Sequence, residues 1–368
     1  MKIVVLSGHT PSLLWFRLDM MRAFLRCGHS VTAVGNEAEA LWTDVFAADG
    51  IRYRQVRLSR NGTNPLKDLE TLRSLLGILR EERPDKIFAY QAKTVIYGSL
   101  AAQKLGISEF YPLIAGVGSV FLSDTWKARL VRQILTMEYK AALRRCPHYF
   151  FQNADDVALF ERCRLIKPQR VCMLSGSGVN LEKFECQPLP DAPCFLFVGR
   201  LIRDKGVYEY LEAARAVRRK HPEARFLLVG PFDTNPSALK PEELSAYTNS
   251  GDVTYFGEQP DVRPYLARCR IFVLPSYREG TPKAVLEAMA CGKAVLTTDA
   301  PGCRETVEDG RNGCLVPVRD IGALAAKMCE MIEQPERTAR MAAESRTMAE
   351  ARFDVRLVNQ KILDCMKL

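Results

Sequence analysis

The strongest constraint on the fold of this chain is the regular alternation of short apolar runs with longer amphipathic segments. An apolar run at residues 2–7 is followed by an amphipathic segment at about 14–26. Gly28 then suits a helix end that requires a positive φ, and a second apolar run covers residues 30–34. Strands separated by helices of this length pair in parallel through right-handed crossovers. The pattern therefore predicts the α/β class.

The alternation continues in two series, each of which is typical of a doubly wound, Rossmann-like domain. The first series predicts a helix near 38–49, a strand near 51–57, a helix at 66–82, a strand at 86–90, a helix at 94–104, and strands at 110–114, 147–152 and 170–174. The second series predicts strands at 194–198, 225–229, 253–256, 271–274 and 293–297, with helices at 206–220, 260–268, 282–290, 320–333 and 336–349.

A polar stretch with three prolines at residues 188–193 separates the two series, and such stretches typically join domains. We therefore predict an N-terminal domain over 1–182 and a C-terminal domain over 190–350. A last helix at about 351–368 is expected to return to the first domain. Because doubly wound sheets bind ligands beyond the carboxyl ends of their strands, two such domains are expected to face each other across a cleft.

Composition excludes several classes of protein. With 47% hydrophobic residues the chain can bury a core, so a disordered polymer is excluded. A membrane span needs about 20 apolar residues, and the apolar runs here have the length of strands. The N-terminus has no secretory pattern. The 12 cysteines are scattered without a zinc-like spacing. These features predict a cytoplasmic protein with free thiols and no metal site.

The net charge of +9 is confined to the first half of the chain. Residues 1–180 contain 25 basic and 16 acidic residues, whereas residues 181–368 contain 27 of each. This asymmetry indicates a partner that carries phosphates, or an anionic membrane face. The segment 124–146 has six basic and two acidic residues with Trp126 and Tyr139 on a helical pattern. It could lie on an anionic membrane, or it could be a packed helix with a solvated basic face.

Candidate phosphate-binding residues follow the first strand of the second series. The strand at 194–198 ends at Gly199, and Arg200 and Lys205 come before the next helix. A guanidinium fork and an ammonium group near a helix N-terminus suit phosphate oxygens. The alternative is that both residues are ordinary solvated charges in a loop.

Two carboxylates flank the start of the helix that is predicted at 282–290. Glu279 precedes the helix and Glu287 lies inside it, so the two could contact one elongated ligand at two places. A helix N-terminus between them could hold an anion. Each carboxylate alone could equally be a helix cap or an ordinary surface group.

Four elements in this order resemble the retaining family-4 glycosyltransferases, which have the two-domain GT-B fold. They are Val198-Gly199-Arg200-Leu201 with Lys205-Gly206, the Glu279…Glu287 element, Pro301-Gly302-Cys303-Arg304-Glu305, and Asn312-Gly313-Cys314-Leu315-Val316. The first half resembles a subgroup of bacterial enzymes that add an N-acetylhexosamine to an undecaprenyl-diphosphate-linked sugar. Its matching segments are Gly8…Phe16-Arg17, Lys93–Ser99, Ile114–Gly118, Phe151–Asp156 and Ser175–Asn180.

The resemblance implies a nucleotide-sugar donor, expected to be UDP-linked, in the C-terminal domain. By that analogy Arg200 and Lys205 hold the diphosphate beside Gly199, Glu287 accepts hydrogen bonds from the ribose, and Glu279 contacts the transferred sugar near the reacting carbon. Backbone N–H groups of Gly280 and Thr281 complete the phosphate site. Cations aimed at the departing diphosphate can replace a metal, and the chain has no Asp-x-Asp sequence. We expect no cofactor and retention of the α configuration, with the donor phosphate accepting the acceptor's proton.

For the acceptor, the resemblance implies a polyprenyl-diphosphate-linked sugar at the inner face of the cytoplasmic membrane. The expected acceptor-side residues are Gly8, His9, Arg17, Lys93, Gly116 and Gly118. His9 is expected to act in catalysis or positioning, and Lys93 could contact the acceptor diphosphate. Many relatives have a histidine after the fourth strand, where this chain has Gln91 and Lys93.

Alternatives remain at this stage. A nucleotide-sugar epimerase or hydrolase can share this fold, and a transferase could use a soluble acceptor. A nucleic-acid-binding protein would use the basic half, but the basic residues lack an interleaved aromatic platform, so no nucleic-acid partner is expected. An inactive carbohydrate-binding relative would not need the full set of charged residues named above.

Overall fold

The computed structural model describes residues 1–59, 64–116, 125–235 and 237–368. The chain divides into two compact units, Met1–Ser177 with Val358–Leu368, and Gly178–Leu357. The C-terminal residues thus belong to the first unit, and the division falls before the proline-rich stretch.

The first unit is a parallel sheet of strand order β3-β2-β1-β4-β5-β6-β7. Its strands are β1 Lys2–Leu6, β2 Ser30–Gly35, β3 Arg52–Gln55, β4 Lys86–Tyr90, β5 Phe110–Ile114, β6 Tyr149–Phe151 and β7 Val171–Met173. Its helices are α1 Thr10–Arg26, α2 Glu39–Ala47, α3 Pro65–Glu82, α4 Ala92–Lys104, α5 Trp126–Leu143 and α6 Ala154–Arg162.

Both faces of this sheet are buried, which explains why its central strands are apolar throughout. Side chains alternate between the faces along each strand. Val4 and Leu6 belong to one buried apolar cluster, whereas Ile3 and Val5 belong to another. The second cluster also contains Ile362 of the C-terminal helix, which places that helix against the sheet of the first unit.

The second unit is a parallel sheet of order β10-β9-β8-β11-β12-β13. Its strands are β8 Cys194–Val198, β9 Arg225–Val229, β10 Thr254–Tyr255, β11 Ile271–Leu274, β12 Ala294–Thr298 and β13 Gly313–Val316. Its helices are α7 Val207–Arg218, α8 Pro241–Thr248, α9 Arg263–Arg268, α10 Lys283–Ala290, α11 Ile321–Glu333 and α12 Pro335–Met348, and α13 Val355–Met366 leads back to the first unit. The predicted tandem of doubly wound α/β sheets is therefore confirmed.

Each sheet reverses its strand order at one place. The reversal lies between β1 and β4 in the first unit and between β8 and β11 in the second. The connections that leave the carboxyl ends of these neighbours run in opposite directions, so a crevice opens there in which ligands bind. The fold thus directs attention to the residues that follow these four strands.

Element bounds differ from the predicted ones mainly at the ends. The first helix begins at Thr10 rather than near Leu14, with Pro11 in its first turn, where proline lacks only an N–H that would have no helical partner. Helices α6 and α8 were not predicted. Among the described residues, no helix is both long enough and apolar enough to cross a membrane.

Candidate active site

Two loops meet at the strand reversal of the second unit. One follows β8 and contains a short 3-10 turn, Arg203–Lys205, and the other follows β11. The backbone N–H of Tyr277 donates to the carbonyl of Asp204 at 2.9 Å, which joins the loops directly. Segments far apart in sequence thereby become one surface at the carboxyl edge of the sheet.

Two glycines allow the backbone to approach this surface closely. Gly206 has a φ of 74°, and a Cβ there would lie 2.1 Å from the carbonyl oxygen of Pro275. Gly302 has a φ of 83°, and a Cβ there would lie 2.2 Å from the carbonyl oxygen of Glu279. The N–H of Glu279 also donates to the carbonyl of Pro301 at 2.9 Å. Only glycine fits these two positions, and together they fix the backbone that bears Glu279.

Lys205 and Glu279 form an ion pair between the two loops. The ammonium group contacts Oε1 of the carboxylate, and the hydroxyl of Ser276 donates to the same oxygen at 2.7 Å. The side chains are 23% and 12% exposed, so the pair is shielded but still open to solvent. The structure therefore brings together two of the residues that the sequence identified separately.

Arg200 precedes Lys205 in the loop that follows β8, but it pairs with a different carboxylate. Its Nη1 lies 2.9 Å from Oδ2 of Asp233, and its side chain is 47% exposed. Asp233 follows the strand β9, next to β8 in the sheet. Sequence reasoning missed Asp233, because only the strand order shows that the residues after β9 lie next to Arg200.

Glu287 lies in α10, which begins at Lys283 after the cap residue Pro282. The segment Gly280–Thr281 immediately precedes this helix start. Within the described part of the chain the Glu287 carboxylate has no hydrogen bond or ion pair, and the side chain is half-buried. Burial raises the pKa of Glu287 to about 7, and the nearby charges of Lys283 and Lys183 offset only part of this effect. A carboxylate in this state can accept hydrogen bonds from a ligand.

The strand reversal of the first unit carries His9 and Gln91. Gln91 follows β4, and its side-chain oxygen accepts a hydrogen bond from the N–H of Gly8 at 2.8 Å. Its backbone has a φ of 74° and a ψ of 143°, a conformation that is strained for any residue except glycine. His9 caps α1, and its ring contacts Trp15 edge to face with centroids 5.7 Å apart. Gln91 thus holds the loop that presents His9, a role that the sequence did not reveal.

The other predicted acceptor-side residues occupy different settings. Lys93, in the first turn of α4, forms an ion pair of 2.7 Å with Asp68 of α3. Arg17 is buried between α1 and β4. Gly116 follows β5 with a φ of 116°. Gly118 lies outside the described residues.

Over residues 1–59, 64–116, 125–235 and 237–368, no group of three or more histidine, cysteine, aspartate or glutamate side chains is arranged to hold a metal ion. The 12 cysteines are all free thiols, most of them buried.

Replacing Glu287 with glutamine is expected to change stability in a pH-dependent way. In the folded state Glu287 keeps its proton up to about pH 7, whereas in the unfolded chain it releases that proton above its ordinary pKa of 4.5. The contribution of Glu287 to the free energy of unfolding therefore falls as the pH rises from about 4.5 to about 7. Calorimetry should show a higher Tm for Glu287→Gln than for the wild type at pH 8 and little difference at pH 4.5. The exposed Glu185→Gln is the matched control, and equal Tm differences at both pH values would contradict this account.

Two family models and a relative that aligns with nearly the full length match this chain. Residues 15–176 match the family described as "Glycosyl transferase 4-like domain", and residues 192–334 match "Glycosyl transferases group 1". The N,N'-diacetylbacillosaminyl-diphospho-undecaprenol alpha-1,3-N-acetylgalactosaminyltransferase of Campylobacter jejuni is 30% identical over 377 residues, covering 99% of this chain and 97% of the relative. The UDP-Gal:alpha-D-GlcNAc-diphosphoundecaprenol alpha-1,3-galactosyltransferase of Escherichia coli is 24% identical, covering 75% of this chain and 73% of the relative.

Among solved structures, the sucrose-phosphate synthase of Thermosynechococcus elongatus aligns with a TM-score of 0.83 at 20% identity, covering 100% of this chain and 98% of that one. At this identity the likeness shows the fold, which is the GT-B fold that the resemblance implied. The full-length match to the Campylobacter enzyme and the two family matches lead to one conclusion: the chain belongs to the group 1, family-4 type glycosyltransferases and is a hexosyltransferase.

Proposed function

We propose that this enzyme transfers an N-acetylhexosamine from a UDP-sugar to a polyprenyl-diphosphate-linked sugar, with retention of the α configuration. The Campylobacter relative is named for the transfer of an N-acetylgalactosamine to a diphospho-undecaprenol-linked sugar, and the Escherichia relative is named for a UDP-linked donor and a diphosphoundecaprenol acceptor. The observation that carries the proposal in this chain is the Lys205–Glu279 pair at the strand reversal of the second unit. There an ammonium group for a diphosphate and a carboxylate for sugar hydroxyls are adjacent.

The proposed donor site uses the residues of the second unit. Lys205 and Arg200 bind the diphosphate beside Gly199, while the N–H groups of Gly280 and Thr281 complete the phosphate site at the start of α10. Glu287 accepts hydrogen bonds from the ribose hydroxyls. It has a supporting property, because a carboxylate without a protein partner can offer its acceptor positions to a ligand.

Charge development explains why the cations are placed here. As the anomeric bond breaks, negative charge grows on the departing nucleoside diphosphate. Cations already held in position stabilise that charge without a reorganisation cost. Glu279 fixes the ammonium group of Lys205, and Asp233 fixes the guanidinium of Arg200. Glu279 in turn lies where it can contact the hydroxyls of the transferred sugar near the reacting carbon.

The proposed acceptor site lies at the carboxyl edge of the first unit. The loop Gly8–His9 and the residue Gly116 follow β1 and β5 at that edge. Gln91 orients the loop through the N–H of Gly8, so His9 is held close to the strand reversal. We assign to His9 the positioning of the acceptor hydroxyl, and the donor phosphate accepts its proton.

We further propose that α5 binds the anionic inner face of the cytoplasmic membrane, where a lipid-linked acceptor resides. Four large apolar side chains of this helix are exposed, at spacings of four, four and three residues: Trp126, Leu130, Ile134 and Met137. They therefore line one stripe of the helix. Arg129, Lys140, Arg144 and Arg145 are exposed as well, and no position that the structure describes as exposed between 125 and 145 is acidic. An apolar stripe with basic flanks suits an anionic lipid surface.

The direct test of the function is transfer itself. Purified enzyme is incubated with a panel of UDP-sugars and a polyprenyl-diphosphate-linked sugar, and the products are identified by mass spectrometry. The proposal expects an elongated lipid-linked product from a UDP-N-acetylhexosamine. Release of UDP that does not depend on acceptor would instead support a hydrolase, and an epimerised sugar nucleotide would support an epimerase.

Substitutions in the donor site should separate binding from turnover. Lys205→Met and Arg200→Met are each expected to reduce kcat/KM by about 10²–10³, because each removes one positioned cation from the leaving group. Glu279→Gln should reduce kcat more than it raises the KM for the donor, because its contacts lie near the reacting carbon. Steady-state kinetics measure both effects, and wild-type turnover in Glu279→Gln would remove this residue from the mechanism.

Activity is expected to be independent of divalent metal ions. The proposed site neutralises the diphosphate with Arg200 and Lys205, so chelation should leave kcat unchanged. Transfer is measured after dialysis against EDTA, with and without added Mg²⁺ or Mn²⁺. A loss of activity on chelation that either ion restores would contradict the proposed neutralisation by side chains.

Removing the exposed positive charges of α5 and of the turn that follows it, Arg144–Arg145, should weaken membrane binding. Each basic residue near an anionic surface contributes about 1 kcal/mol. Changing Arg129, Lys140, Arg144 and Arg145 to glutamine should therefore reduce cosedimentation with phosphatidylglycerol vesicles at least about tenfold at low salt. The same charge change on the second unit, with Arg219, Lys220, Lys240 and Arg340 replaced by glutamine, is the matched control. Equal binding by the two variants, or no binding by the wild type, would show that α5 is only a solvated surface.

A further inference from the structure

The first unit contains a buried cation, Arg17, that has no anionic partner among the described residues. Arg17 is 3% exposed. In the described part of the chain its guanidinium makes no hydrogen bond or ion pair, and its Nε is enclosed without an acceptor. Its Cζ lies 5.0 Å from the ring centroid of Tyr90 and 5.6 Å from that of Phe88. Two aromatic rings are thus the principal groups that face this charge.

Such an arrangement is costly for the folded chain. A buried charge loses its hydration, and contacts with aromatic rings recover only part of that loss. The desolvation lowers the pKa of Arg17 to about 10, so the group remains protonated at neutral pH without being stabilised there. An apolar side chain of similar length would fill the same space without this cost. A cation in this place therefore indicates an anion that the protein binds.

The position of Arg17 agrees with a ligand site. Tyr90 is the last residue of β4, and its hydroxyl lies 2.8 Å from that of Ser12 in α1. The hydroxyl of Ser12 lies 3.0 Å from that of Ser7, which follows β1. The buried hydroxyl cluster Ser7–Ser12–Tyr90 therefore spans the strand reversal of the first unit, and the guanidinium stacks on one of its members.

The other cation predicted on the acceptor side is already neutralised. Lys93, in the first turn of α4 at the same edge of the sheet, is paired with Asp68 at 2.7 Å. An anion that reaches this edge therefore meets in Arg17 a cation without a competing carboxylate. This difference makes Arg17, rather than Lys93, the stronger candidate for the acceptor diphosphate.

We propose that Arg17, stacked on Tyr90 beside the hydroxyl cluster Ser7–Ser12–Tyr90, is the receptor for the diphosphate of the acceptor. The guanidinium fork can bind two phosphate oxygens at once, whereas the hydroxyls of Ser7 and Ser12 already donate to the carbonyl of His9 and hold the loop next to it. The inference deepens the proposed function and rests on it for the lipid-linked nature of the anion. It assigns to Arg17 the binding of the acceptor group that does not react, so its effect falls on acceptor binding and not on the donor.

Arg17→Met is the decisive variant, and Arg22→Met on the same helix is its matched control. The receptor role predicts that Arg17→Met keeps or raises the Tm of the wild type, while the KM for a polyprenyl-diphosphate-linked sugar rises about 10- to 100-fold. The stabilisation of the protein by UDP should be unchanged. Arg17→Lys, which keeps the charge but loses the fork, should show a smaller rise in KM. A lowered Tm with an unchanged KM in Arg17→Met would make the residue structural and overturn the proposal. If Arg17→Met does not fold, an unchanged KM in Arg17→Lys overturns it as well.

A binding measurement separates this proposal from the proposed function. The protein is first saturated with UDP to occupy the donor site, and thermal shifts are then recorded with inorganic phosphate, inorganic pyrophosphate and farnesyl diphosphate. Arg17-dependent stabilisation by the two diphosphates, and not by phosphate, supports a diphosphate receptor, and a larger shift with farnesyl diphosphate identifies a lipid source. Equal shifts in wild type and Arg17→Met overturn the receptor even if transfer occurs. Arg17-dependent shifts without transfer to any lipid-linked acceptor would leave the receptor standing and refute the proposed function.

Discussion

The reversal of strand order in each sheet is the constraint on which the candidate site depends. Beyond the ends of β8 and β11, the chain leaves in opposite directions and a crevice must open between the two loops. Lys205 and Glu279 lie 74 residues apart in sequence, and this topology alone makes them neighbours. The loop contacts then fix their distance, since Gly206 lets the backbone of one loop lie directly against the carbonyl of Pro275 in the other. The geometry of the candidate site is thus set by the packing of the backbone.

Much of the fold could be predicted from the sequence because apolar periodicity reports burial directly. The parallel sheets and most helices follow from it. The early start of α1 was missed because Gly8, Pro11 and Ser12 read as a loop, although Pro11 is also suited to a first helical turn. The unpredicted helices α6 and α8 are short, and short helices give few periods to recognise.

The sequence could predict only those residues of the candidate site that form a local sequence pattern. Glu279 and Glu287 stand at a fixed spacing around one helix start, so the sequence could identify them together. Asp233 and Gln91 act through contacts with residues that are distant along the chain, and no local pattern marks such contacts. Burial and ion pairing could not be predicted either. The sequence could not show that Arg17 is buried or that Lys93 already has a carboxylate partner.

The two units share an energetic feature that the proposed substrates, which are charged and rich in hydroxyls, would explain. Among the residues that the structure describes, no anion faces the buried guanidinium of Arg17 in the first unit, and no donor faces the half-buried carboxylate of Glu287 in the second. Each group lowers the stability of the empty protein, since its charged form has lost water without gaining a partner. Their signs differ in the way that the proposed ligands require: a cation suits a diphosphate, and a carboxylate suits ribose hydroxyls. In the proposed complexes, the ligand supplies the interaction partner that each group lacks in the protein, so the expected affinity for each substrate includes the relief of that cost. By contrast, Lys205 and Glu279 are paired with each other, so in the proposed mechanism this pair fixes the geometry near the reacting carbon, while Arg17 and Glu287 recognise the substrates.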